Sequence, residues 1–365
     1  MIIQNAEALR KTAEDNHQQS LYERMKRQSL TTKITDRLDF VDVAKGIAIL
    51  LVLLGHLLMG ETWLKKSIYA FHMPFFFFAA GFFISEKPFR NYASRRIQTI
   101  IVPYMLFAFL FGTLSIKSII PILYATNQSL KIADSNGMLW FLPSLFLSLV
   151  IVHLMRKKMR SKAIIAILSV FVFVSLGYAL NQQCHGGILN IFDRWGLPLG
   201  IDIVMIGTSF SLVGYLFAYH GGLRWLGDCN KLTAAALSLL LLLVLLSVLY
   251  NTRKDYPQMA TGDLGNWYVY FIVATCASIG LIALSRLIST LGRCQWLTWL
   301  GRNSLTLFLV HRMLVGILQK QVIRHSPNVL TYALSMIILC LFSVICTVII
   351  NKYFPYLVGK SSTQK

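Results

Sequence analysis

The chain has 365 residues, of which 56% are hydrophobic and 14% charged, with 35 Lys and Arg against 15 Asp and Glu for a net charge of +20. Soluble domains carry about 45–50% apolar and about 25% charged residues. This composition therefore excludes soluble domains, a disordered chain, a secreted disulfide scaffold and a nucleic-acid binder, and predicts an all-α polytopic membrane protein.

Residues 1–39 are polar, with no short apolar core and no small-residue cleavage site, so they read as a cytoplasmic N-terminal tail rather than a signal peptide. A helical span needs about 20 mainly apolar residues, because every backbone polar group must be satisfied inside the segment. About ten stretches qualify: 40–60, 68–85, 98–116, 138–155, 163–180, 199–219, 232–250, 266–285, 304–318 and 330–350. Residues 40–350 are thus expected to form one ten-span domain, followed by a cytoplasmic tail over 351–365. With an inside start, most of the Lys and Arg fall on inner segments, so the positive-inside rule places both termini in the cytoplasm. Arg156, Lys157, Lys158, Arg160 and Lys162 read as topology and anionic-lipid contacts. The six cysteines show no Cys-x-x-Cys pair, and only Cys184 falls outside, so neither a disulfide nor a metal site is expected.

Ionisable residues within spans are costly and point to function. In the first span, DFVDVAKGIAILLVLLGHLLM, Asp42 and Lys45 are three apart, and Lys45 and His56 are eleven apart, close to three turns, so one stripe carries all three. The rise between Lys45 and His56 is roughly 16 Å, with Lys45 towards the inner leaflet and His56 in the outer half. The second span, YAFHMPFFFFAAGFF, brings His72 in from the outer side, where Pro74 interrupts the ladder and leaves room for a polar pocket. Arg95 and Arg96 stand at the inner mouth ahead of the third span, suited either to the phosphates of an anionic cofactor or to positive-inside anchoring. Trp140, at the outer start of the fourth span, suits a sugar face or the interfacial aromatic belt. The ninth span opens on Arg302, Asn303 and Ser304 at its inner end, with Asn303 or Ser304 as a cap, and carries His311 and Arg312 deep inside.

The strings DVAKGIAILLVLLGH, FHMPFFFFAAGFF, IVPY, LWFLPSLF and LGRNSLTLFLVH, in that order over residues 40–311, resemble the integral-membrane acyltransferase 3 family, which includes sugar O-acetyltransferases and succinyltransferases of bacterial surface glycans. The resemblance implies ten spans and a signature of a basic residue, most often Arg, ahead of an essential histidine in the first span. Lys45 and His56 fill those places, the Lys being the variant of the branch similar to fucose 4-O-acetylase. The family's Arg-x-x-Arg pair ahead of the third span is incomplete here, since Thr99 stands three residues after Arg96.

The expected reaction moves an acyl group, acetyl or succinyl, from cytoplasmic acyl-CoA to a hydroxyl of a surface glycan or lipid-linked sugar. Acetyl-CoA is expected as co-substrate, with no metal. Lys45, Arg95, Arg96 and Arg302 form the basic inner rim for its phosphates. His56 is the expected general base, with His72 and His311 orienting it or stabilising the oxyanion. Trp140 and Asn303 are expected to contact substrate. The donor arm either threads up the bundle to His56 or a covalent acyl intermediate forms. The competing class is an exporter of polysaccharide or lipid-linked sugar; the prolines Pro74, Pro103 and Pro143 crowd the first half without the matching second-half breaks that transporters show.

Overall fold

The computed structural model describes residues 39–112, 116–133, 137–251, 257–292 and 294–360, so the expected N-terminal tail lies outside the described residues except for Asp39. Among these residues the structure is helical, with one isolated antiparallel bridge between Gln258 and Asp263. The helices are α1 (Asp39–Leu57), α2 (Trp63–Tyr69), α3 (His72–Gly81), α4 (Phe89–Arg96), α5 (Val102–Phe111), α6 (Ile116–Tyr124), α7 (Asn127–Ile132), α8 (Phe141–Ser161) and α9 (Ala163–Gly186). They continue with α10 (Ile201–Tyr219), α11 (Gly222–Asp228), α12 (Lys231–Asn251), α13 (Trp267–Leu291), α14 (Gln295–Arg302), α15 (Ser304–Val310), α16 (Arg312–Ile317) and α17 (Val329–Tyr353).

Seven helical segments among the described residues are long and apolar enough to cross a bilayer: Asp39–Leu57, Gly137–Arg160, Ile164–Gly186, Pro198–Tyr219, Trp267–Leu291, Ser304–Ile323 and Val329–Tyr353. They overlie seven of the stretches expected from the sequence. Of the other three, one is a continuous helix and two are irregular among the described residues. Stretch 232–250 is α12, whereas 68–85 splits into α2 and α3, and 98–116 runs from the end of α4 through a π turn at Ile97–Ile101 into α5.

Prolines account for both irregular stretches. Pro74 sits in the first turn of α3, where a missing N–H leaves no ladder bond open, and the chain breaks just before it at Phe71, with φ −144° and ψ −15°. Pro103 lies at the second residue of α5, and the π turn ahead of it relieves the clash between its ring and the carbonyl four residues back.

The most enclosed span is α10, with 67% of its apolar window buried, against α3, α8 and α9; the spans of α9 and α17 bury 28% and 22% and turn apolar faces outward. Lipid offers no hydrophobic drive between helices, so they associate by close van der Waals contact through small residues. Gly81 of α3 rests on the Ser211 carbonyl and Gly214 of α10 on that of Phe78, so a Cβ at either would strike backbone. The Ser211 hydroxyl donates to the Phe77 carbonyl across the same seam at 3.1 Å. Gly301 of α14 and Gly46 of α1 likewise rest on the carbonyls of Asp42 and Leu297. These two seams fix α3 and α1, and with them His72, Lys45 and His56.

Candidate active site

At one end of α1, His56, His72 and His311 converge with Tyr69. The His56 ring stacks on His311 with centroids 5.4 Å apart and 27° between planes, and meets His72 edge-on at 6.4 Å. The break between α2 and α3 turns Tyr69 inward, so its hydroxyl shares a 3.1 Å hydrogen bond with Nδ1 of His56. His311 stands at the break between α15 and α16 and is fully buried.

Carbonyl partners fix two of the tautomers. Nδ1 of His72 lies 2.8 Å from the Ile68 carbonyl and Nδ1 of His311 lies 2.6 Å from that of Phe308. A carbonyl only accepts, so both Nδ1 atoms carry a proton, and in the neutral ring each Nε2 then presents a lone pair. Nε2 of His311 has no hydrogen-bond partner in the structure. Among the described residues no group of three or more His, Cys, Asp or Glu is placed to hold a metal ion. Gln319, on a π turn at Leu318–Ile323, donates from Nε2 to the His56 carbonyl at 2.8 Å and so satisfies the open end of α1.

Two neighbouring cavities are lined by residues of α1, one at the cluster and one at the Lys45 end. One, of about 250 Å³, is lined by His56, Tyr69 and His72 together with Asn127, Lys131, Trp140, Gln258 and Arg312. The other, of about 270 Å³, is lined by Lys45, Arg96, Thr99 and Ser304 among apolar side chains. Met73 and Phe308 belong to the walls of both. The Lys45 and His56 stripe therefore serves two adjoining chambers.

At the Lys45 end, the ammonium pairs with Asp42 at 2.7 Å and lies 6.0 Å from the Phe83 ring centre. Arg96 donates to the Phe83 carbonyl at 3.1 Å and lies over Tyr92 at 5.2 Å. The remaining sequence-predicted residues fall differently. Arg95 is exposed and lines neither chamber. Arg302 bonds Asp39 at 2.8 Å and Asp42 at 3.1 Å, and the Asp42 hydrogen bond raises its already high pKa. Asn303 is buried in a polar knot, accepting from Asn351 at 2.8 Å and from Lys360 at 2.7 Å. It also stands at the Lys45 end rather than beside the histidines. Trp140 is buried in the wall of the His56 chamber, with its ring edge-on to Phe141 at 6.1 Å. Arg156 and Arg160, expected as lipid contacts, meet Glu86, Arg156 at 3.7 Å and Arg160 in direct contact.

Sequence spacing missed Tyr69, Asn127, Lys131, Gln258 and Gln319. Tyr69 lay three residues before His72, a usable signal had the break at Phe71 been foreseen. Asn127, Lys131 and Gln258 lie in connecting segments whose sequence carries no periodicity, and only the tertiary structure brings them to His56.

The family described as an acyltransferase domain matches residues 38–352. Nodulation protein NolL of Mesorhizobium japonicum is similar, 32% identical over 129 residues. That similarity covers 31% of this chain and 35% of the relative, so the chain spans about a third of that protein's length. No solved structure matches. With nearly all of the helical body inside the matched range, the chain belongs to the acyltransferase 3 family of membrane acyltransferases.

Proposed function

We propose that the protein is a membrane O-acyltransferase that carries an acyl group, acetyl in the first instance, from cytoplasmic acetyl-CoA to a hydroxyl of a surface glycan or lipid-linked sugar on the far side of a bacterial inner membrane. The observation that carries the reading is the pair of cavities sharing Met73 and Phe308, one holding Lys45 and Arg96 and the other the histidine cluster. In this reading ten crossings place both termini and the Lys45 chamber on the cytoplasmic side, consistent with the positive-inside bias.

Lys45 and Arg96 supply cationic hydrogen bonds for the anionic donor. The thioester arm then passes the Met73 and Phe308 wall towards His56, so threading needs no covalent acyl-enzyme. A sugar hydroxyl is a poor nucleophile at neutral pH and requires a base. For Nε2 of His56 to accept its proton, Nδ1 must carry hydrogen and donate to the Tyr69 oxygen. The hydroxyl oxygen then attacks the thioester carbonyl, the carbon–sulfur bond breaks, and the proton on His56 passes to the departing thiolate. His72 and His311, held with lone pairs at Nε2, set the electrostatics around His56. In that tautomer they accept rather than donate, which makes them ill-suited to an oxyanion.

The test is mass spectrometry of surface glycans from cells with and without the gene. Loss of one acetyl unit per repeat supports the reading, loss of a succinyl unit changes only the donor, and identical glycans reject it.

A further inference from the structure

The chamber beside His56 has an unbalanced electrostatic make-up. Among the described residues its lining includes two cationic side chains, Lys131 and Arg312, and no Asp or Glu. Neither cation has a carboxylate partner among the described residues, whereas at the other end of α1 Lys45 and Arg302 are both held by acids. Clefts lined by one sign of charge with low-dielectric walls concentrate ligands of the opposite sign.

The two cations stand on a built platform. Helix α7 is fixed by a capping box between Thr126 and Ser129, by the Thr126 hydroxyl donating to the Trp195 carbonyl, and by Asn127 donating from Nδ2 to the Gly137 carbonyl at 2.9 Å. Asn127 and Lys131, four apart, share one face of that helix and both line the chamber. The stem of Lys131 lies close beside Gly137, which further restricts its direction. Arg312 enters the lining from the first residue of α16, next in chain to a ring stacked on His56. Gln258 and Asn127 add neutral polar groups, and Trp140 an aromatic face, suited to the rest of a sugar.

We infer that the acceptor is an acidic saccharide, bearing a carboxylate or phosphate that Lys131 and Arg312 bind while an adjacent hydroxyl meets His56. This rests on the transfer reading above and narrows its acceptor. Arg312 and Lys131 act in acceptor binding, not in proton transfer, so their loss should appear in affinity for charged acceptors.

The experiment uses the purified full chain in detergent, with glucose, glucuronate and glucose 1-phosphate as probes. Binding is followed by calorimetry, and transfer from acetyl-CoA by thiol release. Both acids, or one of them, should bind at least tenfold more tightly than glucose; which one does so separates a carboxylate from a phosphate as the anion. Lys131→Gln and Arg312→Gln should each weaken that binding about tenfold and leave glucose unchanged, and Arg312→Lys should restore part of it. Equal binding of all three probes, or equal losses for acid and neutral probes in the variants, overturns the inference. Charge-selective binding with no thiol release under any probe would support the anion site and count against the transfer reading. Thiol release that is indifferent to acceptor charge would do the reverse.

Discussion

The rings of His56 and His311 stack 5.4 Å apart, although 255 residues separate them, and His311 holds its own Nδ1 on the Phe308 carbonyl at 2.6 Å. That contact joins the first span of the bundle to a late one. Replacing His56 by Gln should lower acyl transfer by ~10²–10⁴-fold, the usual contribution of a positioned base. His311→Gln should lower it less, because it removes a support and not the base. Thiol release measured on the two purified variants checks the order, and equal losses would give His311 the proton-transfer role instead.

In the proposed transfer the Tyr69 oxygen accepts from Nδ1 of His56 and leaves Nε2 free to take the acceptor's proton. In Tyr69→Phe the 3.1 Å bond to Nδ1 is gone and His56 is free to place its proton on either nitrogen. A net hydrogen bond of ~1–1.5 kcal/mol corresponds to about a tenfold fall in turnover. The Michaelis constants of donor and acceptor should stay near wild type, since the Tyr69 ring remains in place. Steady-state kinetics read this out, and a rise confined to the acceptor constant would make Tyr69 a binding residue.

Lys45 and Arg302 lie at the same end of α1 and should behave differently. Lys45 lines a chamber, so Lys45→Ala should raise the donor Michaelis constant about tenfold, equivalent to one charge-assisted contact of ~1.5 kcal/mol. Arg302 is 60% exposed and bound to Asp39 and Asp42, an arrangement worth ~0–1 kcal/mol of stability. Arg302→Ala should therefore leave the donor constant within about twofold. A donor titration of the two variants decides, and a large effect at Arg302 would move the phosphate site out to it.

Met73 divides the two chambers with Phe308. Met73→Trp should close the passage, abolishing transfer while donor binding measured by calorimetry persists. Unchanged transfer in a folded Met73→Trp variant would show that the donor arm takes another route.

The α3 and α10 seam has no room for a side chain at Gly81, which rests on the Ser211 carbonyl. Gly81→Leu should cost ~1–3 kcal/mol or more through forced backbone shifts, visible as a lower unfolding temperature in detergent. The same change at Gly316, where a Cβ meets nothing within 4 Å, should leave the temperature close to wild type.

Composition by itself determined that this chain lives in a membrane, because too few charged residues exist to wet its surface. Apolar runs located seven of the ten expected stretches as helices long enough to cross a bilayer, since a helix must satisfy its own backbone in lipid, and helical spacing put Lys45 and His56 on one stripe. Those are local properties, set by 3.6 residues per turn and by segment length. The change of helix at His311 and the π turn at Leu318–Ile323 are not, because no proline marks either of them. Only the tertiary structure brought Tyr69, Gln319 and His311 to His56, tied Arg302 to Asp39 and Asp42, and folded Asn303 into a knot with Lys360. It alone brought Lys131 and Arg312 to the lining of one chamber, since residues far apart in the chain that share a cavity leave no period for the sequence to display.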